Sequence, residues 1–409
     1  MLSISAAEGV GRTGRRDLVI ALSGRMVSAF GDAVALIALT LRLQAGGAGP
    51  YVVALLFGAG TAPLLLLAGA VGHLVDSHDS RRLLVGAGLL AVACTAPLVV
   101  VHSVVVILVL VALLAVATSV ASSAWSALVP RMVGEDGVAA AVSAQQSLNA
   151  LVTVGAPAVG GLLAGAFGSG VPLALDAGTF VVVTMAAALV RTRRGPAEPD
   201  PDAPSAAPRG GFHLLRADPV LAPLTVGLGL VVLLVGMVDV VLVYLVRETL
   251  HAGGVWYGVA EASWMAGIVG GSLGAGRLRT EPRQTWATIG GAGLACAALA
   301  PFALVPAVWM LVPLSIVGGI GNGLAIACFS TLLIRRTPDA ERGRVSAAAG
   351  ATIGSAQGLS LLAGGGLATV LRPRAVYGTA GLLGLAGAAA TATSLAFGRR
   401  KGQAEKTVC

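Results

Sequence analysis

Apolar residues run uninterrupted for about twenty positions at a time along most of the chain, and the breaks between runs are short and polar. At a rise of about 1.5 Å per residue, a helix needs about 20 such residues to cross the hydrocarbon of a bilayer. Twelve runs of that kind can be read, at 18–41, 51–75, 83–101, 104–127, 143–167, 171–190, 221–246, 255–276, 284–304, 308–332, 345–370 and 375–397. They lack the apolar–polar alternation of barrel strands, so they predict helices. The fold class expected is an all-α polytopic membrane protein with twelve transmembrane helices. The first run outlasts a signal-peptide core and carries no small-residue cleavage pattern behind it, which predicts a retained span.

The longest polar break, 191–219, contains RTRRGPAEPDPDAPSAAPRG. Its prolines and charges cannot build a core, so it reads as a disordered cytoplasmic linker. It separates two six-helix halves, 1–190 and 220–409. Sliding the sequence by 207 residues lays DAVALIALTLRLQAGG (Asp32–Gly47) on DVVLVYLVRETLHAGG (Asp239–Gly254), with six of sixteen positions identical. Two parallel halves of this kind are one known transporter construction, with the substrate held near mid-membrane.

Composition removes the soluble alternatives. Hydrophobic residues make up 56% of the chain and charged residues 11%, against about 25% charged in an ordinary soluble domain. The mean hydropathy is +0.88. The net charge of +8 would raise nucleic acid as a partner, but the arginines sit in short loops without interleaved aromatics, so none is expected. With both termini placed in the cytoplasm, the basic residues fall on the inner side except Arg25, inside a span, and Arg42, Arg247, Arg372 and Arg374. That bias predicts a multi-pass protein of the cell membrane with cytoplasmic termini. Cys94, Cys296, Cys328 and Cys409 have no metal-type spacing, and no metal site is expected.

Four acids interrupt the spans: Asp32, Asp176, Asp239 and Glu261. A charged carboxylate in mid-bilayer costs on the order of 3 kcal/mol and is seldom placed there idly. Helix rise puts Asp239 about 10 Å and Glu261 about 9 Å below the outer ends of their spans, with Asp32 nearer the middle. If Asp239 and Glu261 face each other, repulsion and desolvation would make the pair hold a proton, as a coupling site requires. Trp264, three residues after Glu261, is a candidate wall of the same pocket. Asp176 is expected to matter less. Arg25 lies seven residues before Asp32, too far for a direct bridge at about 10 Å, and is expected to snorkel to the inner interface.

The loop between the second and third runs reads GHLVDSHDSRRLL (Gly72–Leu84) and resembles the cytoplasmic gating motif of the major facilitator superfamily at Gly72, Leu74, Asp76, Arg81 and Leu84. GAPAVGGLL (Gly155–Leu163) is similar to the fifth-span motif of that superfamily's drug:proton antiporters, through Gly155, Pro157, Gly160 and Gly161. SALVPRMV (Ser126–Val133), ALDAGTF (Ala174–Phe180), HLLRADPVLAPL (His213–Leu224) and ERGRVSA (Glu341–Ala347) look like its macrolide-efflux and siderophore-exporter branch. The sequence departs from the family at Ser77, Ser80 and Asp79 of the gating loop. It also lacks the arginine of the antiporters' fourth span, since 104–127 holds no basic residue.

The resemblance implies a monomeric secondary transporter that exports a small amphipathic molecule against protons by alternating access. It implies a gate at Gly72, Asp76 and Arg81, and a bend at the fifth-span glycines. No GxxxxGK[ST] phosphate loop is present, so neither ATP drive nor any cofactor is expected. An importer or uniporter shares the same physics. A membrane-embedded enzyme would need clustered acids or histidines at the interface, and only the Gly72–Leu84 loop offers them.

Overall fold

A computed structural model describes residues 12–192, 195, 209–338 and 341–408. Among them every regular element is helical: α1 (Arg12–Ala45), α2 (Pro50–Leu66), α3 (Ala68–Ser77), α4 (Ser80–Leu98), α5 (Val104–Phe167), α6 (Gly170–Leu189), α7 (Arg209–Ala217), α8 (Leu221–Tyr244), α9 (Gly254–Ala275), α10 (Glu281–Leu299), α11 (Leu311–Arg336), α12 (Arg342–Val370) and α13 (Pro373–Val408). A π-helical turn, Leu245–Thr249, prolongs α8.

Each of the twelve apolar runs falls on helix. Among the described residues nine helical segments are long and apolar enough to cross a membrane. The runs at 51–75, 255–276 and 345–370 coincide with α2 and α3, with α9 and with α12. The second run is broken at Leu67, whose φ of −104° and ψ of 5° leave the helical region. The fourth and fifth runs join as one bent element, turned at Gly134, whose φ of 71° is accessible to glycine without strain. Many large apolar side chains, such as Leu89, Val105, Leu273 and Leu383, stand exposed. In water this would be a liability; against lipid it is the expected outer surface.

The chain forms two compact units, one of Met1–Gly47 and Leu55–Pro201, the other of Ala48–Ala54 and Asp202–Cys409. In the first, α1 packs on α5 and α6, and α4 packs on the same two helices. In the second, α9 and α10 both pack on α11, and α8 packs on α12 and α13. The α9–α11 contact depends on glycine. A Cβ at Gly267 would collide with the Ile316 carbonyl, at Gly271 with the Ile320 carbonyl, at Gly319 with the Trp264 carbonyl and at Gly323 with the Ile268 carbonyl. The small-xxx-small spacing thus brings two backbones into direct contact.

Most of the expected disordered linker, 193–194 and 196–208, lies outside the described residues. Its last part differs from the expectation. Arg209–Ala217 is helical, with Leu215 buried and Gly211 lying so close to Arg344 of α12 that a Cβ would overlap that residue's carbonyl. Asp218 then caps α8 by accepting from the amides of Val220 and Leu221, both at 2.8 Å. Its other oxygen takes Arg336 Nε at 3.0 Å, and Arg336 also reaches Glu281 at 3.0 Å. Local amphipathicity and the Asp218–Arg336 ion pair order a stretch whose composition alone reads as coil.

Candidate functional site

The four intramembrane acids form two pairs, one in each unit. In the second unit, Asp239 of α8 and Glu261 of α9 line one cavity of about 20 Å³, together with Trp264, Phe302, Ser315 and Tyr377. That volume suits a single water. Periodicity sets the α9 wall: Tyr257, Glu261 and Trp264 are spaced four and three residues apart, so they share a helix face. Trp264 is buried, and its indole lies over Gly318, where a Cβ would overlap the ring. Tyr377 is also buried, stacks on Phe302 with centroids 4.9 Å apart and donates its hydroxyl to the Val238 carbonyl at 3.2 Å. It lies within the electrostatic reach of Asp239, Glu261 and Tyr257. Tyr257 and Tyr377 were not among the sequence candidates. The signal was present: the chain has only four tyrosines, and a buried tyrosine hydroxyl requires a polar partner.

In the first unit, Asp32 of α1 lines a larger cavity of about 160 Å³ with Arg25, Ser28, Ser122 and Trp125. Asp176 of α6, expected to be a lesser residue, is buried at 1% exposure and within electrostatic reach of Asp32. Thr179 donates to the Asp176 carbonyl at 2.7 Å. The approach of the two helices depends on Gly31, where a Cβ would come within 2.6 Å of Asp176 Oδ1. Arg25 lies in the first third of its run, and Ser122 in the last third of the run 104–127. Arg25 turns to α5 and makes two long bonds to Ser122, 3.4 Å to the carbonyl and 3.3 Å to the hydroxyl.

The gating loop is an α3–α4 corner. Asp76 is exposed in the last turn of α3, and Gly72 faces open space. Arg81, in the first turn of α4, donates to the Ala188 carbonyl near the C-terminal end of α6, where the helix dipole favours a cation. Asp79, which stands where the resembled motif usually has glycine, caps α4 by accepting from the Arg81 and Arg82 amides at 3.1 Å. In the fifth-span motif Gly160 lies against Val34 and Ile37 of α1, with a Cβ only 3.1 Å from the Val34 backbone. Gly155 meets nothing within 4 Å. Pro157 lies inside the helix and Gly161 is buried.

Two clamps that the sequence reading missed hold the first unit's helices. Asp17, fully buried, accepts from the Arg191 and Thr192 amides and the Thr192 hydroxyl at 2.8–3.0 Å, just beyond the end of α6. Arg42, expected on the outer side, ties the carbonyls of Leu98, Val99 and Val101 to Ser169.

The family model of the Major Facilitator Superfamily matches residues 21–356 and 224–407. Over 174 residues the chain is 25% identical to macrolide efflux protein A of Streptococcus pyogenes, a match covering 41% of this chain and 43% of that protein. The chain thus spans less than half the length of the curated relatives it matches. Among solved structures it is similar to a peptide transporter POT, with TM-score 0.72 and 16% identity over 95% of each chain. A bacterial homologue of the iron transporter ferroportin gives TM-score 0.67 at 17% identity, over 93% of this chain and 98% of the other. The nucleoside transporter NupG gives TM-score 0.70 at 12% identity, over 94% and 99%. The structural likenesses agree with the helix pattern, the absence of strands among the described residues and the multi-pass reading of the fold. The chain belongs to the Major Facilitator Superfamily.

Proposed function

We propose that the protein is a secondary active transporter that exports a small amphipathic molecule, of the drug, antibiotic or secondary-metabolite kind, in exchange for protons. The observation that carries this reading is the facing of Asp239 and Glu261 across one small cavity. Two carboxylates held together away from bulk water repel when both are charged, and one shared proton relieves the repulsion. A proton between them and a substrate in the transport path each favour a different state of the cycle, so binding of one promotes release of the other.

In this mechanism Asp239 and Glu261 hold and release the proton. Trp264 and Tyr377 shape the cavity and limit its water. Asp32, backed by Asp176, contributes a second titratable site beside the larger cavity of the first unit. Arg81 and Asp76 belong to the cytoplasmic gate that opens once per cycle, and the close approach of Gly160 to α1 keeps the bent fifth span tight against leak. Both cavities are complete within one chain, which supports a working monomer. The direction of transport rests on the fifth-span motif and on the likeness to macrolide efflux protein A.

The test is accumulation of labelled amphipathic compounds, a macrolide included, in cells with and without the protein. Lower accumulation on expression, reversed by a protonophore, is expected. Higher accumulation would make it an importer, and indifference to the protonophore would remove proton drive.

A further inference from the structure

Building on the transporter reading, we infer that the first unit's cavity is a binding site for an anion-bearing molecule, and that Arg25 recognises its carboxylate-type group. A guanidinium stays charged at any relevant pH, and a cation within a span is costly unless something answers it. Two other arginines that reach into the fold are answered. Arg42 caps carbonyls of α4 and binds Ser169, and Arg336 binds two carboxylates at 3.0 Å. Arg25 is half-buried and makes no ion pair among the described residues.

Its two contacts are weak, at 3.3 and 3.4 Å, near the limit for hydrogen bonds. One of them goes to the Ser122 carbonyl, which already accepts the Ser126 hydroxyl at 2.9 Å. The remaining N–H donors have no protein acceptor among the described residues and belong to a residue that lines the 160 Å³ cavity. A cavity of about that volume holds a benzene-sized body. Trp125, Ala29 and Phe180 supply apolar walls for such a body, and the planar guanidinium fork matches a carboxylate bidentately. Asp32 lies two helical turns further along α1, about 10 Å away. It is therefore placed to act on the far side of the same molecule without neutralising Arg25.

The chemistry selects a small molecule with an anionic group beside a ring-sized apolar part, in preference to its neutral or cationic counterpart. The probes are benzoate, benzamide and benzylamine, which share shape and differ in charge. Their binding to the purified full-length protein in detergent at pH 7 would be followed by tryptophan fluorescence, with Trp125→Phe identifying the signal from the cavity. Benzoate should bind saturably and at least tenfold more tightly than benzamide, with benzylamine weakest. Arg25→Gln should abolish the preference for benzoate over benzamide, while Arg25→Lys should keep part of it.

Equal affinities, a preference for benzylamine, or no saturable benzoate binding would overturn the assignment. So would an Arg25→Gln protein that still prefers benzoate. The order of the three probes on the unaltered protein decides the matter even if Arg25→Gln does not fold. Because the readout is binding, it stands or falls separately from proton coupling.

Discussion

Asp239 on α8 and Glu261 on α9 border the same 20 Å³ cavity, with the buried hydroxyl-bearing ring of Tyr377 beside them. Consecutive spans that each carry an acid at a similar depth would ordinarily be penalised twice, once for desolvation and again for repulsion. Placing both acids against one water-sized space converts the penalty into a site whose charge state depends on where the proton is. Asp32 and Asp176 repeat the pairing in the other unit with different helices, α1 and α6. Asp32 and Asp239 correspond under the 207-residue shift, but their partners do not.

The gate prediction rests on the bond from Arg81 to the Ala188 carbonyl. Arg81→Gln and Asp76→Asn should slow transport severalfold at unchanged abundance in the membrane, because each removes a charge-assisted contact used in one state of the cycle. Initial transport rates normalised to membrane protein check it. Wild-type rates in both variants would reduce the loop to a solvated corner.

The glycine contact between α9 and α11 predicts a sharp difference between two alanine substitutions. Gly319→Ala drives a methyl into the Trp264 carbonyl and should destabilise the protein by about 1–3 kcal/mol. Gly290→Ala, in α10, meets open space and should be neutral or stabilising by up to about 1 kcal/mol. Thermal unfolding in detergent separates them. Equal melting temperatures for the two variants would mean the helices can part at no cost.

Arg42 predicts a helix-end effect. Arg42→Ala strips the cation from the carbonyls of Leu98, Val99 and Val101 and should cost roughly 1–3 kcal/mol. Arg42→Lys keeps the charge but cannot serve the α4 end and Ser169 together, so it should fall between. The melting order wild type, lysine, alanine is the expected result. Lysine indistinguishable from arginine would show that charge alone matters.

The helices and their class were legible because a spanning helix announces itself by length and uniform apolarity, and Leu67 and Gly134 merely cut or bend what the pattern already placed. The matching depths of Asp239 and Glu261 were legible for the same reason, since helix rise converts sequence number into depth. Partners from distant helices were not. Nothing in the run around Asp176 says that it lies against Gly31, and nothing near Asp17 says that it receives the Thr192 amide. Long-range packing decides these contacts. The partners of Arg25 and Arg42 were not legible for the same reason, because a basic residue near a helix end looks the same whether it points to water or bonds a neighbouring helix.

Sidedness is a separate expectation, drawn from the bias of arginines toward one set of loops. Single cysteines introduced at 191–219 and in the C-terminal tail, in a protein without its own cysteines, should react with an impermeant maleimide only after cells are opened. Reaction of either position in intact cells would invert the proposed topology.

The central claim is that proton coupling runs through the paired acids. The direct measurement is proton movement driven by a substrate identified in the accumulation assay, recorded with a trapped pH dye in proteoliposomes. Asp32→Asn, Asp176→Asn, Asp239→Asn and Glu261→Gln would each be tested singly. Neutralising Asp239 or Glu261 should abolish substrate-driven proton movement and uphill transport while downhill exchange survives, because the linkage is cut without closing the path. Full proton-driven transport in all four variants would contradict the account and leave a uniporter or another coupling ion.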